Sequence, residues 1–205
     1  MQRGEKYFKN GDGAFLCGDC LNRGINEARS PSPLGTGMLT IFTLKDFRLN
    51  DSSHLSILIK LVLMTNGPIL ELGTGFYSTP VLHWLCAENK RKLVSYESSE
   101  QYIEVANNYI ADFHEVHLVD DWSKIDISQH WSIVFVDHWP SSQRRIEIER
   151  VANNADYVIA HDSELEHDKD YQYSKVAPLF KHRYDYNKFY PPTVVFSNFK
   201  DLSNL

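Results

Sequence analysis

Asp137-His138 ends the apolar run that starts at Trp131, and His161-Asp162 ends the run that starts at Tyr157. A carboxylate and an imidazole at neighbouring strand ends can take a proton from a hydroxyl. Histidine titrates near neutral pH, and a rigid strand end fixes the geometry. The same residue types ligate Mn, Fe or Zn. Asp137, His138 and His161 are therefore the candidate catalytic residues. Asp137, His161 and Asp162 are the candidate metal ligands. Their spacing matches no dedicated metal motif, so the reading favours a site that works without a divalent cation.

A second constellation lies upstream. The run Gly67-Pro68-Ile69-Leu70-Glu71-Leu72-Gly73-Thr74-Gly75-Phe76-Tyr77-Ser78-Thr79 joins an apolar stretch to an acid, a G-x-G turn and two hydroxyls. That is the pattern of a strand, a tight turn and a helix start. Glycine lets the backbone approach a ligand, and the free N–H groups of a helix start favour polar or anionic groups. Such a turn usually holds a nucleotide-like cofactor. Glu97, at the end of the next apolar run, can accept hydrogen bonds from both ribose hydroxyls of a nucleoside. Asp121 and Trp122 offer an acid and an indole beyond the third run, where an adenine can lie.

These residues need a scaffold that carries strand ends to one edge. From Pro68 onward the pattern alternates. Strands are expected at Ile69–Leu72, Lys92–Glu97, Glu115–Val119, Trp131–Asp137 and Tyr157–Ala160. Helices are expected at Ser78–Ala87, Ser99–Ala111 and Ser141–Asn153. Such alternation builds βαβ units and a mostly parallel sheet, whose ligands sit beyond the carboxyl ends of the strands. An apolar helix over Ser53–Thr65 precedes them, with Asp51, Ser52 and Ser53 as cap candidates. Two β segments, His182–Lys188 and Thr193–Asn198, flank a Pro-Pro connection too short for a crossover, so they pair antiparallel. Residues 1–37, rich in Gly, Asn, Ser and Pro, read as an irregular arm or lid before a single domain over 38–205.

Residues 68–198 resemble the class I S-adenosylmethionine-dependent methyltransferases. Glu71 to Gly75 is similar to that family's first motif, with Ser78 and Thr79 opening the helix. Glu97 matches its ribose-binding acid, with Ser98 beside it, and Asp121 with Trp122 its adenine contact. Asp137 matches the acid ending its fourth strand. The resemblance implies an α/β fold: a Rossmann-like three-layer sandwich with a mostly parallel seven-stranded sheet and an antiparallel C-terminal hairpin. It implies S-adenosylmethionine as cofactor, held by Glu71, Gly73, Thr74, Gly75, Ser78, Thr79, Glu97, Ser98, Asp121, Trp122 and Asp137. The sequence departs from the pattern at Tyr77, where many members carry a third glycine.

Two other readings compete. A nicotinamide Rossmann domain wants a glycine where Ser78 stands, and an acid near Glu97 suits both families. A non-catalytic nucleoside-binding domain in an assembly would not need Asp137, His138, His161 and Asp162 to converge. For a methyltransferase, the acceptor is expected to be a small molecule, with O-methylation favoured. The residues after the fourth strand, Asp137-His138-Trp139-Pro140, lack the pattern of enzymes that methylate exocyclic amines of bases. The aromatic tail of Tyr171, Tyr173, Tyr184, Tyr186, Phe189 and Tyr190 serves either core packing or an acceptor pocket, with packing favoured.

Composition bounds the remainder. A net charge of -6 argues against nucleic acid as a partner. No apolar run spans a membrane and no secretory pattern opens the chain, so a cytoplasmic setting is expected. A homo-oligomer is compatible with this composition. Cys17 and Cys20 form a lone C-x-x-C in a loop-rich segment, which reads as two reduced cysteines.

Overall fold

The structure is a computed structural model that describes Tyr7–Lys9, Phe15–Cys17 and residues 49–205. The chain divides into two units, Met1–Ile41 and Phe42–Leu205. In the first, β1 (Tyr7–Lys9) and β2 (Phe15–Cys17) pair antiparallel, with Tyr7 opposite Cys17. The rest of the expected arm, Cys20 included, lies outside the described residues.

The second unit is built on a seven-stranded sheet. Its strands are β3 (Ile69–Leu72), β4 (Leu93–Glu97), β5 (His114–Leu118), β6 (Trp131–Val136), β7 (Ala155–Ala160), β8 (His182–Tyr186) and β9 (Thr193–Ser197). They lie in the order β5-β4-β3-β6-β7-β9-β8. The first five are parallel, and β9 runs antiparallel to both β7 and β8. The strand order reverses between β3 and β6, so the crevice beyond their carboxyl ends is the ligand position of an open α/β sheet.

Side-chain alternation separates two apolar layers. Ile69, Leu93, Ile133, Phe135 and Ile159 face one side. There they meet α1 (Leu55–Met64) through Ile57, Leu58, Leu61 and Val62, and α2 (Ser78–Glu88) through Leu82 and Cys86. Leu70, Leu72, Val134, Val136 and Val158 face the other side, against Ile148 and Val151 of α4 (Arg144–Val151) and Val176 of α6 (Tyr173–Val176). Helix α3 (Glu100–Ala106) packs by β4 and β5, and α5 (Asp168–Tyr171) precedes α6. The result is the expected three-layer α/β sandwich. None of the described helices is long and apolar enough to cross a membrane.

Three local expectations change. The Ser99–Ala111 helix ends at Ala106 and tightens into a 3-10 turn over Asn107–Tyr109. The Ser141–Asn153 helix starts as a 3-10 turn and becomes α-helical only at Arg144. Asp51, Ser52 and Ser53 do not cap α1. Its N-cap position is His54, without a side-chain cap bond, because Asn50 to Ser52 belong to a separate 3-10 turn and the Ser53 hydroxyl points elsewhere.

Candidate active site

A cleft of about 450 Å3 opens at the carboxyl ends of β3, β4, β6 and β7. Its wall includes Thr74, Gly75 and Ser78 of the glycine turn, Glu97 after β4, Asp137 after β6, and His161 and Asp162 after β7. Asp51, in the 3-10 turn before α1, and His54, at the N-cap of α1, close it, and Phe76, Tyr77, Tyr102 and Trp139 supply aromatic surface.

The two glycines of the turn do different things. Gly73 has φ +94, and a Cβ there would lie 2.6 Å from the backbone of Asp137 and His138. Its lack of a side chain lets β3 and β6 close against each other. Gly75 would meet nothing nearer than Ser78 Oγ at 3.6 Å, so its open surface is free for a ligand. Glu71 does not reach the cleft. It is fully buried and accepts from Ser95 Oγ at 2.6 Å and Thr79 Oγ1 at 3.0 Å. Thr79 Oγ1 in turn accepts from Gly75 N at 2.9 Å. Glu71 and Thr79 therefore brace the turn from behind. Burial, offset in part by Ser95, Ser78 and Thr79, pushes the Glu71 carboxyl up to about 7.

Glu97 is on the cleft wall, and its carboxylate is already filled. Oε2 accepts from Thr74 N at 2.8 Å and Thr74 Oγ1 at 3.1 Å, while Oε1 accepts from Ser98 N at 2.8 Å and Ser99 N at 2.7 Å. Three of these donors are backbone and orient the acid. The Thr74 hydroxyl alone can rotate away and yield its place to a ribose hydroxyl. Ser98 itself stands off the cleft, with Oγ donating to Trp139 O.

Strand alternation explains which polar ends enter the cleft. The β6 ladder continues through Asp137 N to Leu72 O at 2.8 Å, and the β7 ladder through His161 N to Val136 O at 3.2 Å. Asp137 and His161 therefore share the face of Phe135 and Ile159, toward α1. His138 falls on the other face. Its ring stacks on Trp122 at 3.9 Å and its Nε2 stands 3.4 Å from Glu147, with neither side chain exposed. The catalytic expectation for His138 is thus corrected: it is buried under the sheet and cannot meet an acceptor. Trp122 is corrected with it. Its indole belongs to the core and donates to Trp139 O, so it offers no face to an adenine. Asp121 is partly exposed and caps the turn at Ser123, outside the cleft. Most of the aromatic tail also stays out: Tyr173 and Tyr186 are core, Phe189 and Tyr190 are exposed and do not line the cleft, and Tyr171 approaches it through Asp162.

Asp137, His161 and Asp162 do meet, around Arg144, a partner absent from the sequence reading. Arg144 donates to His138 O at 2.8 Å, pairs with Asp137 at 2.9 Å and with Asp162 at 3.1 Å. Tyr171 lies against its guanidinium, and Tyr171 OH donates to Asp162 at 3.3 Å. His161 Nδ1 stands 3.3 Å from Asp137 Oδ2 and 3.4 Å from Asp162 Oδ1. Burial works against a charged His161, but Asp137 and Asp162 outweigh it and raise its pKa. Asp137 is desolvated too, yet His161 and Arg144 hold its carboxyl well below the usual range. Asp162 occupies the left-handed region at φ +56, and that bend turns its carboxylate back onto Arg144.

The second missed element is the start of α1. Ser53 Oγ lies 2.8 Å from His161 Nε2 and donates to Pro191 O at 2.6 Å. His54 is 2% exposed, and neither ring nitrogen has a hydrogen-bond partner. Its ring meets His161 edge-on at 4.6 Å and lies against Phe135 at 4.7 Å. Burial, then the neighbouring His161, lowers its pKa to about 3, so the ring is neutral. The only signal for these residues in the sequence is a polar pair at the head of an apolar helix, which does not distinguish a cap from a site.

No family model and no curated protein matches this sequence. Solved structures do match in fold. A methyltransferase from Pyrococcus furiosus aligns with TM-score 0.53 at 14% identity, over 88% of this chain and 95% of its own. Human methyltransferase-like protein 13, solved with S-adenosylhomocysteine, gives 0.54 at 14%, over 75% and 85%. An O-methyltransferase from Bacillus cereus, also solved with S-adenosylhomocysteine, gives 0.52 at 16%, over 76% and 84%. This chain has the fold of the class I methyltransferases.

Proposed function

We propose that this chain, built on the class I methyltransferase fold, is an S-adenosylmethionine-dependent methyltransferase acting on a small molecule, with transfer to oxygen favoured. The observation that carries the reading is the composition of one cleft. The open Gly75 turn and the braced Glu97 stand at one end, and Asp137, His161 and His54 at the other. A non-catalytic nucleoside-binding domain has no use for the second group. The antiparallel β9 between β7 and β8 favours methyl transfer over a nicotinamide enzyme.

In this reading the cofactor ribose replaces the Thr74 hydroxyl on Glu97, the Thr74–Gly75 backbone lies along the cofactor, and Tyr102 and Trp139 offer faces for its adenine. The acceptor oxygen attacks the methyl carbon as the carbon–sulfur bond breaks, and the electron pair stays on sulfur. The hydroxyl proton leaves toward the Asp137–His161 pair. Alignment and exclusion of water do most of the work in such a displacement. The supports for a small acceptor are the modest cleft volume and the charge of -6.

Calorimetry with S-adenosylmethionine, S-adenosylhomocysteine and NAD, side by side, tests the cofactor. Binding of the first two and not the third is expected, and preferential NAD binding overturns the reading. A panel of hydroxyl compounds with an RNA alongside then tests the acceptor. Turnover of a hydroxyl compound, lost at least a hundredfold in Asp137→Asn and His161→Ala, is expected. Turnover of RNA alone refutes the small-molecule acceptor, and full activity in both variants removes them from the chemistry.

A further inference from the structure

We propose that His54, Asp137 and His161 bind one divalent first-row transition-metal ion, of the Mn2+, Fe2+ or Zn2+ class, at the inner end of the cleft. One ligand atom from each lies within 4.8 Å of the other two. Two ligands of a single ion stand roughly 3–4 Å apart, so modest side-chain rotation closes the set around it.

Three separate features fit this occupant. The first is His54. Buried polar groups are almost always hydrogen-bonded, yet both nitrogens of this buried ring on the cleft wall are unpartnered. A metal ion supplies the missing partner. The second is the orientation of His161. The Ser53 proton is committed to Pro191 O, so Ser53 Oγ accepts from His161 Nε2–H. That leaves Nδ1, beside Asp137, as the ligating nitrogen. A ligating histidine usually donates its other N–H to a fixed acceptor in this way. The third is Asp137. Arg144 holds Oδ1 at 2.9 Å and leaves Oδ2 directed at His161.

The set differs from the one expected from the sequence. Asp162 is not one of the three residues whose ligand atoms all lie within 4.8 Å of one another, and His54 stands in its place. Two imidazoles and one carboxylate suit Mn2+, Fe2+ or Zn2+ rather than Mg2+ or Ca2+, which prefer all-oxygen sites. Three protein ligands leave coordination positions toward the cleft, where an acceptor oxygen can bind and lose its proton more easily.

The test needs neither cofactor nor acceptor. The full chain, stripped with chelator, is titrated with Mn2+, Zn2+ and Mg2+ by calorimetry. One Mn2+ or Zn2+ per chain, with no saturable Mg2+ binding, is expected. His54→Phe, which keeps an aromatic ring beside Phe135, should lower affinity at least tenfold. Ser53→Ala should lower it about 10- to 100-fold. Electron spin-echo spectra of the Mn2+ complex should show two directly bound imidazole nitrogens. Absence of saturable binding, wild-type affinity in folded His54→Phe, or a spectrum with fewer than two imidazole nitrogens overturns the proposal. If His54→Phe does not fold, the wild-type spectrum decides alone. A chain that binds metal but not S-adenosylmethionine loses the methyltransferase reading and keeps the metal site; the reverse result keeps the reading and removes the metal.

Discussion

Ser53 and His161 are 108 positions apart and share a 2.8 Å hydrogen bond whose direction is fixed by a third group. Because Ser53 donates to Pro191 O, the imidazole must be the donor at Nε2. The carbonyl belongs to the turn before β9, so α1, β7 and the C-terminal hairpin jointly set the tautomer of one cleft residue. The same argument identifies which histidine nitrogen faces Asp137.

Glu97 is expected to be the main polar anchor of the cofactor. Glu97→Gln keeps the shape but turns one acceptor into a donor that faces backbone N–H groups. Loss of a charge-assisted hydrogen bond costs about 1.5–3 kcal/mol, or roughly 10- to 150-fold in affinity. Calorimetric titration with S-adenosylhomocysteine measures it. Unchanged affinity in a folded variant would remove Glu97 from the cofactor site.

The two glycines should separate stability from binding. Gly73→Ala combines a positive φ with a 2.6 Å clash against backbone, which places its cost at about 2–5 kcal/mol. Gly75→Ala should leave the unfolding midpoint nearly unchanged and weaken cofactor binding alone. Urea denaturation of the two variants reads the difference. Equal stability loss in both would contradict the division of roles.

Glu71 gives the fold a pH dependence near neutrality. Its carboxyl rises from 4.5 to about 7 on folding, so the folded state holds the proton more tightly than the unfolded chain. The resulting stability is fully present below about pH 4.5 and is lost as pH rises through about 7. At about 1.4 kcal/mol per pH unit, the total is on the order of 3 kcal/mol. Thermal melts of wild type and Glu71→Gln between pH 5 and 8 should diverge: the wild type falls across this range while the variant is flatter. Parallel curves would refute the assignment.

His138 should matter to folding and not to the cleft. Removing it leaves Glu147 fully buried, with only Arg150 at 3.6 Å. It also removes the buried ring stacked on Trp122, and truncating a large buried side chain to alanine typically costs about 2–5 kcal/mol. His138→Ala is therefore expected to melt earlier while the folded fraction binds S-adenosylhomocysteine with unaltered affinity. A loss of binding at full stability would return His138 to the site.

Much of this protein is written in local pattern. The short, nearly continuous apolar runs and the helical stretches between them determine the parallel sheet, and the short Pro-Pro connection determines the antiparallel β8 and β9. The G-x-G turn and Glu97 are legible for the same reason: the strand–turn–helix geometry that makes them useful is local in sequence. Even the separation of Asp137 from His138 follows from strand alternation, once the β6 ladder is known to continue one residue past Val136. Distances across the fold carry no such signal. Only the packing of α1 on β6 brings Ser53 and His54 beside His161, and only α4, crossing beneath β6 and β7, inserts Arg144 between Asp137 and Asp162. Trp122 reads as an adenine contact because an indole after a strand suits both a ligand and a core. The tertiary structure decides for the core by stacking it on His138, since burying a large aromatic face against the sheet stabilises more than leaving it in an open cleft.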